Sequence, residues 1–175
     1  MEWYVETERL AMRQFTLADV ELLVDLDSDV EVMRYLTGQP TPREQIADQD
    51  LPAILATYDS HPGLGKWAAY ERTTGRFIGW FSLDPGLPGE AELGYRLRRD
   101  AWGFGYAGEG AIALVRKGFA ELGLTRINAI TMAVNTGSRK VMQKAGLRFV
   151  RLFHEHFDDP LPGTEHGEVE YEITR

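Results

Sequence analysis

The chain has 175 residues, of which 43% are hydrophobic and 26% charged, and this composition fits a globular protein with a real hydrophobic core. Its 27 Asp and Glu outnumber its 19 Lys and Arg, giving a formal net charge of −8. This balance argues against a nucleic-acid binder that works through a broad basic face. Cysteine is absent, which excludes disulfides, thiolate metal sites and a cysteine nucleophile.

The sequence also bears on where the protein works and how it is organised. Its first residues show no basic region followed by an apolar run, and no apolar stretch approaches the roughly 18 residues of a membrane span. We therefore expect a cytoplasmic protein with no membrane or nucleic-acid partner. No internal repeat or low-complexity segment is present, so we expect residues 1–175 to form one domain. The oligomeric state is left open between monomer and homodimer.

The first third of the chain predicts a short strand followed by helices. Residues 10–13 favour a strand, and Thr16 with Asp19 resembles a capping box at the start of a helix. A stronger helix signal follows. Thr41 is predicted to be its N-cap, and Pro42 suits the first helical position.

From residue 67 onward the pattern changes to strands alternating with helices. Two segments around a Thr-Thr-Gly turn, residues 67–72 and 77–83, predict a hairpin. Residues 91–97 alternate between apolar and polar side chains, as in a half-buried strand. The remaining predicted elements are a helix that ends near residue 122, a buried strand at 126–134, a short helix at 138–145 and strands at 147–157 and 169–173. This order predicts an α/β protein with a mixed sheet and helices on both faces.

The most informative segment is residues 102–108, Trp-Gly-Phe-Gly-Tyr-Ala-Gly, between a predicted strand and a predicted helix. Glycines there allow a tight turn and leave the first N–H groups of the helix uncovered, where phosphate groups bind. The same glycines match a dinucleotide fingerprint, but the acidic residue expected about 20 positions later is replaced by Asn128. A P-loop fails because no Gly-Lys-Ser/Thr follows. A turn without a ligand is the third interpretation.

A second motif, Asn-Thr-Gly-Ser-Arg-Lys ending in Lys-Ala-Gly-Leu, follows at residues 135–147. With the glycine turn, it resembles the GNAT N-acetyltransferase superfamily, in the branch that contains the ribosomal-protein N-terminal acetyltransferases. Three more segments resemble that branch: Thr-Glu-Arg-Leu-Ala-Met-Arg at 7–13, Glu-Leu-Gly-Tyr at 92–95, and the strand 169–173. One departure is Trp102, which stands where the wider superfamily usually has Gln or Arg.

The resemblance implies a largely antiparallel sheet of about six to seven strands, in which the fourth predicted strand, 91–97, splays from the fifth, 126–134. It implies acetyl-CoA as co-substrate, no metal, and direct transfer of the acetyl group to a primary amine. The acceptor is left open between a protein N-terminus, favoured by a shallow groove, and a small cationic amine, favoured by a closed acidic pocket. Residues 19–58 and 158–167 are expected to shape its cleft. A module that binds acyl-CoA without turnover is the alternative function.

Carried over to this chain, the resemblance names the following site residues. The pyrophosphate contacts are the backbones of Gly103, Phe104, Gly105, Tyr106 and Ala107. The contacts to the pantetheine arm are Leu97 and Arg98 through their backbones and Asn135 through its side chain. Apart from the resemblance, the extra phosphate of the cofactor requires local positive charge, and the candidates for supplying it are Arg98, Arg99, Arg139 and Lys140. Ordinary solvated surface is the other interpretation of each.

Two residues are predicted to act in the chemistry. Ser138 matches the family position whose hydroxyl can donate to the departing sulfur, although capping the short helix would by itself account for a serine there. Glu92 is the candidate general base, and a solvent-facing strand residue is the other interpretation. His154, Glu155 and His156 form a second candidate group for the base.

Overall fold

The computed structural model describes residues 2–175 and contains one mixed sheet of eight strands. The strands are β1 (Val5–Glu6), β2 (Leu10–Gln14), β3 (Gly65–Glu71), β4 (Phe77–Pro85), β5 (Glu90–Leu97), β6 (Arg126–Met132), β7 (Arg148–Phe153) and β8 (Glu168–Thr174). Their order across the sheet is β1-β2-β3-β4-β5-β6-β8-β7. All neighbours are antiparallel except β5 and β6, which run parallel.

Helices cover both faces of this sheet, as predicted. They are α1 (Val20–Asp27), α2 (Val30–Met33), α3 (Arg43–Gln45), α4 (Leu51–Ser60), α5 (Tyr106–Ala120) and α6 (Thr136–Lys144). A π-helical turn, Ile46–Asp50, joins α3 to α4. Among residues 2–175, no helix is long and apolar enough to cross a membrane.

The two faces carry separate hydrophobic cores. On one face, α5 buries Ala111 and Leu114 against Phe81 and Leu93 of the sheet. On the other face, helical side chains pack against the opposite side of β3 and β4. The helical residues are Leu23 and Leu26 of α1, Ile46 of the π-helical turn and Leu51 of α4, and the strand residues include Phe77 and Trp80 of β4. Each helical layer therefore covers one face of the same sheet. A site can open at the edge of the sheet, between the two layers.

The α/β fold class is confirmed, but the number of strands is higher than the six to seven expected. The additional strand, β1, is two residues long and pairs with β2. A strand this short shows no alternation that the sequence could reveal. The strand predicted at 147–157 also ends earlier, at Phe153.

The helix starts agree with the sequence in one case and differ in another. The Asp19 carboxylate accepts a hydrogen bond of 2.8 Å from the Thr16 N–H, as the predicted capping box requires. Thr41, by contrast, is not the N-cap of the helix that begins at Arg43. Its hydroxyl donates instead to Asp27 of α1 at 2.8 Å, so a tertiary contact replaced the local cap.

The pairing between β5 and β6 stops after three residue pairs, from Glu90 with Arg126 to Glu92 with Asn128. Beyond them, β5 continues to Leu97 and β6 to Met132 with no pairing between the two in the described chain. The predicted splay of these two strands is confirmed. Because they are parallel, α5 and α6, which follow them in the chain, begin at the same edge of the sheet. A gap between strands thus lies beside two helix N-termini.

Candidate active site

The glycine turn leads directly into the first turn of α5. Gly103 and Gly105 have φ angles of +83° and +81°, a conformation that glycine adopts without strain. Gly105 is the N-cap of α5, and no side chain from residues 2–175 caps this helix. The N–H groups of the first turn therefore remain free to bind an anion, supported by the dipole of a 15-residue helix.

Two residues from the start of the chain hold this turn in place. Glu109 in the first turn of α5 accepts hydrogen bonds from the Thr7 hydroxyl at 2.7 Å, the Arg9 N–H at 2.9 Å and the Arg9 Nε at 2.7 Å. Arg9 also donates through Nη1 to the Phe104 carbonyl at 2.8 Å, and its guanidinium lies 4.6 Å from the Tyr106 ring centroid. Arg9 thus clamps the glycine turn from outside.

The clamp keeps Glu109 ionised. Burial by itself raises the pKa of this carboxyl, but the hydrogen bonds from Thr7 and Arg9 outweigh it and hold the pKa below its ordinary value. The carboxylate is then charged at neutral pH, and the interaction weakens only when the pH falls through this lowered pKa.

The predicted phosphate-binding cations differ in how far other groups of the protein engage them. Arg98 forms ion pairs with Asp25 and Asp100. Arg139 donates to the Tyr171 hydroxyl and the Ala133 carbonyl. The other two predicted cations, Arg99 and Lys140, are exposed. Lys144 was not predicted from the sequence. Its side chain lies over Gly108 so closely that a Cβ on Gly108 would be 2.8 Å from the Lys144 Cδ. Lys144 therefore adds a positive charge at the start of α5.

The backbone at the end of β5 is partly engaged within the protein. The Arg98 N–H donates to the Ile78 carbonyl at 2.9 Å, and the Leu97 carbonyl accepts from the Trp102 indole at 3.0 Å. Trp102 therefore fastens the glycine turn to the strand, which gives this departure from the wider superfamily a structural role. Asn135 caps α6 by accepting from the Ser138 N–H at 3.2 Å.

This cap leaves the Ser138 hydroxyl for another contact. Ser138 lies inside the first turn of α6 and is not its N-cap, so capping does not account for the serine. Its hydroxyl is 2.9 Å from the Tyr95 hydroxyl, which also donates to the Ser138 carbonyl at 2.9 Å. Burial raises the pKa of Tyr95 to about 12, so the phenol stays protonated at neutral pH. No role was predicted for Tyr95, although it belongs to the family-like segment 92–95.

Glu92 lies on the opposite face of β5 from Tyr95, because side chains alternate along a strand. It stands at the last pair before the gap and opposite Asp84 of β4. Partial burial raises the pKa of Glu92, and the Asp84 and Glu170 carboxylates raise it further. A carboxyl of this kind takes up a proton more readily than an ordinary glutamate.

The alternative base candidates lie elsewhere. His154, Glu155 and His156 are exposed and follow the end of β7, so they do not share a strand face. The His156 ring lies 3.4 Å from Asp158.

A pocket of about 420 Å³ lies on the Glu92 face, between the sheet and the helical residues 23–57. Its sheet wall includes Lys66, Trp80, Asp84 and Arg96. Leu161, in the loop after β7, packs against Gly38, where a Cβ would be 2.7 Å from its side chain, so that loop reaches the helical layer. The pocket has the size of a small-molecule site.

The family model of the acetyltransferase (GNAT) domain matches residues 9–148 of this chain. The chain belongs to the GNAT acetyltransferase family. It is 37% identical to the FsC-acetyl coenzyme A-N(2)-transacetylase of Aspergillus fumigatus over 98% of this chain and 76% of that protein. Among solved structures, a GNAT acetyltransferase from Bacillus anthracis is 25% identical and superposes with a TM-score of 0.77 over 97% of both chains.

A ribosomal-protein α-N-acetyltransferase in complex with coenzyme A superposes with a TM-score of 0.84 over 99% of this GNAT chain and 98% of that one, at 16% identity. The predicted family is therefore confirmed, and the fold matches the predicted branch. As a GNAT acetyltransferase, the protein is an enzyme that uses acetyl-CoA as its acetyl donor. The uncapped first turn of α5 fits the diphosphate of that donor.

We predict that Arg9→Met weakens the binding of coenzyme A about tenfold, because it removes the clamp on the glycine turn and leaves Glu109 without its cation. Isothermal titration calorimetry measures the dissociation constant. Arg116→Met, which removes an exposed cation farther along α5, is the matched control and leaves the constant unchanged. Equal affinities of the two variants for coenzyme A contradict a clamping role for Arg9.

Proposed function

We propose that this chain, acting as one acetyltransferase domain, transfers an acetyl group from acetyl-CoA directly to a primary amine. The observation that carries the proposal is the arrangement around the gap between β5 and β6: the Ser138–Tyr95 hydroxyl pair lies on one face of β5 and Glu92 on the other. Because the chain has no cysteine, no acyl-cysteine intermediate can form. The acetyl group then passes directly from acetyl-CoA to the amine while both are bound.

The proposed donor site uses the backbone of residues 103–107 for the diphosphate of acetyl-CoA. The pantetheine arm lies along the gap, against Leu97, Arg98 and the Asn135 side chain. The extra phosphate binds exposed cations at the same edge, Lys140 among them, with Arg139 placed nearby by its contacts to β8 and to the end of β6. The free N–H groups and helix dipole of α5 support this placement.

In the proposed reaction, the neutral amine nitrogen attacks the thioester carbonyl carbon, a C–N bond forms and the C–S bond breaks. Glu92 takes the proton that the nitrogen loses, directly or through one water, and its raised pKa suits that task. The departing sulfur accepts a hydrogen bond from Ser138. Tyr95 assists when it turns its proton toward the serine oxygen, because the serine proton is then free for the sulfur.

The acceptor in this proposal is a small amine that enters the pocket beside Glu92. Asp84, the partner of Glu92 across β4, lines that pocket, so the pocket and the candidate base adjoin. Its volume of about 420 Å³ is in the range of small-molecule sites, which supports a small amine as the acceptor. The Aspergillus relative is named for transfer to an N(2) atom, which supports nitrogen as the acceptor atom. The cytoplasmic location stays a prediction from the sequence.

We predict that Ser138→Ala and Glu92→Gln each lower kcat at least tenfold while coenzyme A affinity changes little, because these groups act on proton transfer and not on the diphosphate. Tyr95→Phe should give a smaller loss. Thiol release over an amine panel measures kcat, and the exposed Ser60→Ala is the control. Unchanged turnover in Ser138→Ala and Glu92→Gln removes both from the mechanism. Tight acetyl-CoA binding without turnover in the unmodified protein favours the binding module instead.

The pH dependence gives an independent test of Glu92. Its carboxylate is the active form, so kcat/KM should fall as the pH drops through its raised pKa. Replacing Asp84 by Asn removes one of the charges that raise this pKa, so the acidic limb should move to lower pH. Profiles of kcat/KM against pH for the unmodified protein, Asp84→Asn and Glu92→Gln report this shift. An acidic limb that persists in Glu92→Gln assigns it to another group.

A further inference from the structure

Two cationic side chains meet over one indole in the pocket. The Lys66 Nζ lies 3.9 Å from the Trp80 ring centroid, and the Arg96 Cζ lies 5.1 Å from it. The three residues come from neighbouring strands, since β4 lies between β3 and β5 and Arg96 pairs directly with Trp80. The sheet wall of the pocket therefore has a positive end, although the protein as a whole is acidic.

Donors at this end lack acceptors. Arg96 donates through Nη1 to Asp27 at 2.7 Å, but its buried Nε has no hydrogen-bond partner within the described residues. The Lys66 ammonium interacts electrostatically with the carboxylates of Asp84, Asp27 and Asp50, but within residues 2–175 it forms no hydrogen bond to them. Burial lowers the pKa of Lys66, which reflects the cost of holding this charge away from water. A buried donor such as the Arg96 Nε is ordinarily satisfied by an oxygen acceptor.

The neighbouring carboxylates already accept hydrogen bonds within the protein, although Asp50 accepts only a long one, of 3.4 Å, from the Gln45 side chain. The two oxygens of Asp27 accept from Arg96 and from the Thr41 hydroxyl. Asp84 accepts from the Ser82 hydroxyl at 2.8 Å. An acceptor for Lys66 and the Arg96 Nε is therefore best supplied by a bound molecule, and a carboxylate with two oxygens can serve both donors.

The strand register gives the distance between this positive end and Glu92. Glu92 and Arg96 share a face of β5 four residues apart, which is about 13 Å along the strand. Lys66 lies in the row of Ser82 and Gly94, about 7 Å along the strand from Glu92 and two strands, or about 10 Å, across the sheet from it, which is about 12 Å in all. Both cations thus start from backbone positions about 12–13 Å from Glu92, and this is the upper bound of the separation between the amine and the carboxylate of a molecule that spans both ends.

We infer that the amine acceptor is an amino acid whose carboxylate, at the far end of a chain of about six to eight carbons, binds Lys66 and Arg96 while its amine lies at Glu92. This inference rests on the proposed function. Diamines and polyamines fit less well at this end, because a second ammonium group placed there would lie beside Lys66, which forms no hydrogen bond to a carboxylate in residues 2–175. The acidic surface and the basic end then have different tasks: the first attracts the amine and the second orients the molecule.

The test compares ω-aminohexanoate and ω-aminooctanoate with hexylamine and diaminohexane, using acetyl-CoA-dependent thiol release. The unmodified protein should have a kcat/KM for the amino acids at least about tenfold above that for hexylamine, as one charge-assisted hydrogen bond provides. Lys66→Met should reduce this ratio about tenfold by raising KM for the amino acids. Lys66→Arg, which keeps the charge, should restore most of the ratio, and Arg116→Met should leave it unchanged.

Calorimetric binding of the same four compounds in the presence of coenzyme A gives the comparison without turnover. Tighter binding of the amino acids, lost in Lys66→Met, supports the inference even if no amine is acetylated; in that case only the proposed reaction fails. Equal or tighter binding of hexylamine or diaminohexane by the unmodified protein overturns the inference, even if those amines are acetylated. An equal loss for all four compounds in Lys66→Met also overturns it, since that indicates a structural role for Lys66.

Discussion

The site depends on how briefly β5 and β6 pair. Each strand is held on its outer side by seven antiparallel residue pairs, β5 by β4 and β6 by β8, whereas only three parallel pairs join the two within the described sheet. The sheet is thus two antiparallel halves connected by a short parallel seam. Beyond the seam each strand follows its own half, and the gap between them opens toward the starts of α5 and α6.

This gap separates two kinds of chemistry. The face that carries α5 and α6 holds hydroxyl groups and helix N–H groups, which suit phosphates and a departing sulfur. The other face holds Glu92 and the pocket with its carboxylates and cations, which suit an amine acceptor. The two faces need no relay of covalent intermediates, because a thioester lying in the gap is accessible from both. The proposed direct transfer follows from this placement.

The sequence predicted what depends on local signals. The glycine turn, the helix after it, the alternation along β5 and the order of the elements could be predicted, and with them the family. The hydrogen bonds of Arg9 to Glu109 join residues 100 positions apart, and no spacing rule connects them. The Tyr95 phenol on β5 contacts Ser138 on α6, 43 positions later, and the sequence does not specify this tertiary contact.

The same limit explains what was misread. Thr41 was predicted to cap a helix from the local pattern, but its hydroxyl donates to Asp27. Capping was the alternative interpretation of Ser138, and its hydroxyl contacts Tyr95 instead. The positive end of the pocket was not predicted either, since Lys66 and Arg96 belong to strands separated by β4. The net charge of −8 describes the whole protein and gives no sign of a local site for an anion.

Amide hydrogen exchange with and without coenzyme A tests the central claim most directly. Binding in the gap predicts slower exchange at residues 103–108 and along the unpaired halves of the two strands, residues 93–97 and 129–132. The exchange of β1 to β3, far from the gap, should stay as it is without the ligand. Protection confined to other parts of the molecule, or none at a saturating concentration of coenzyme A, contradicts the account.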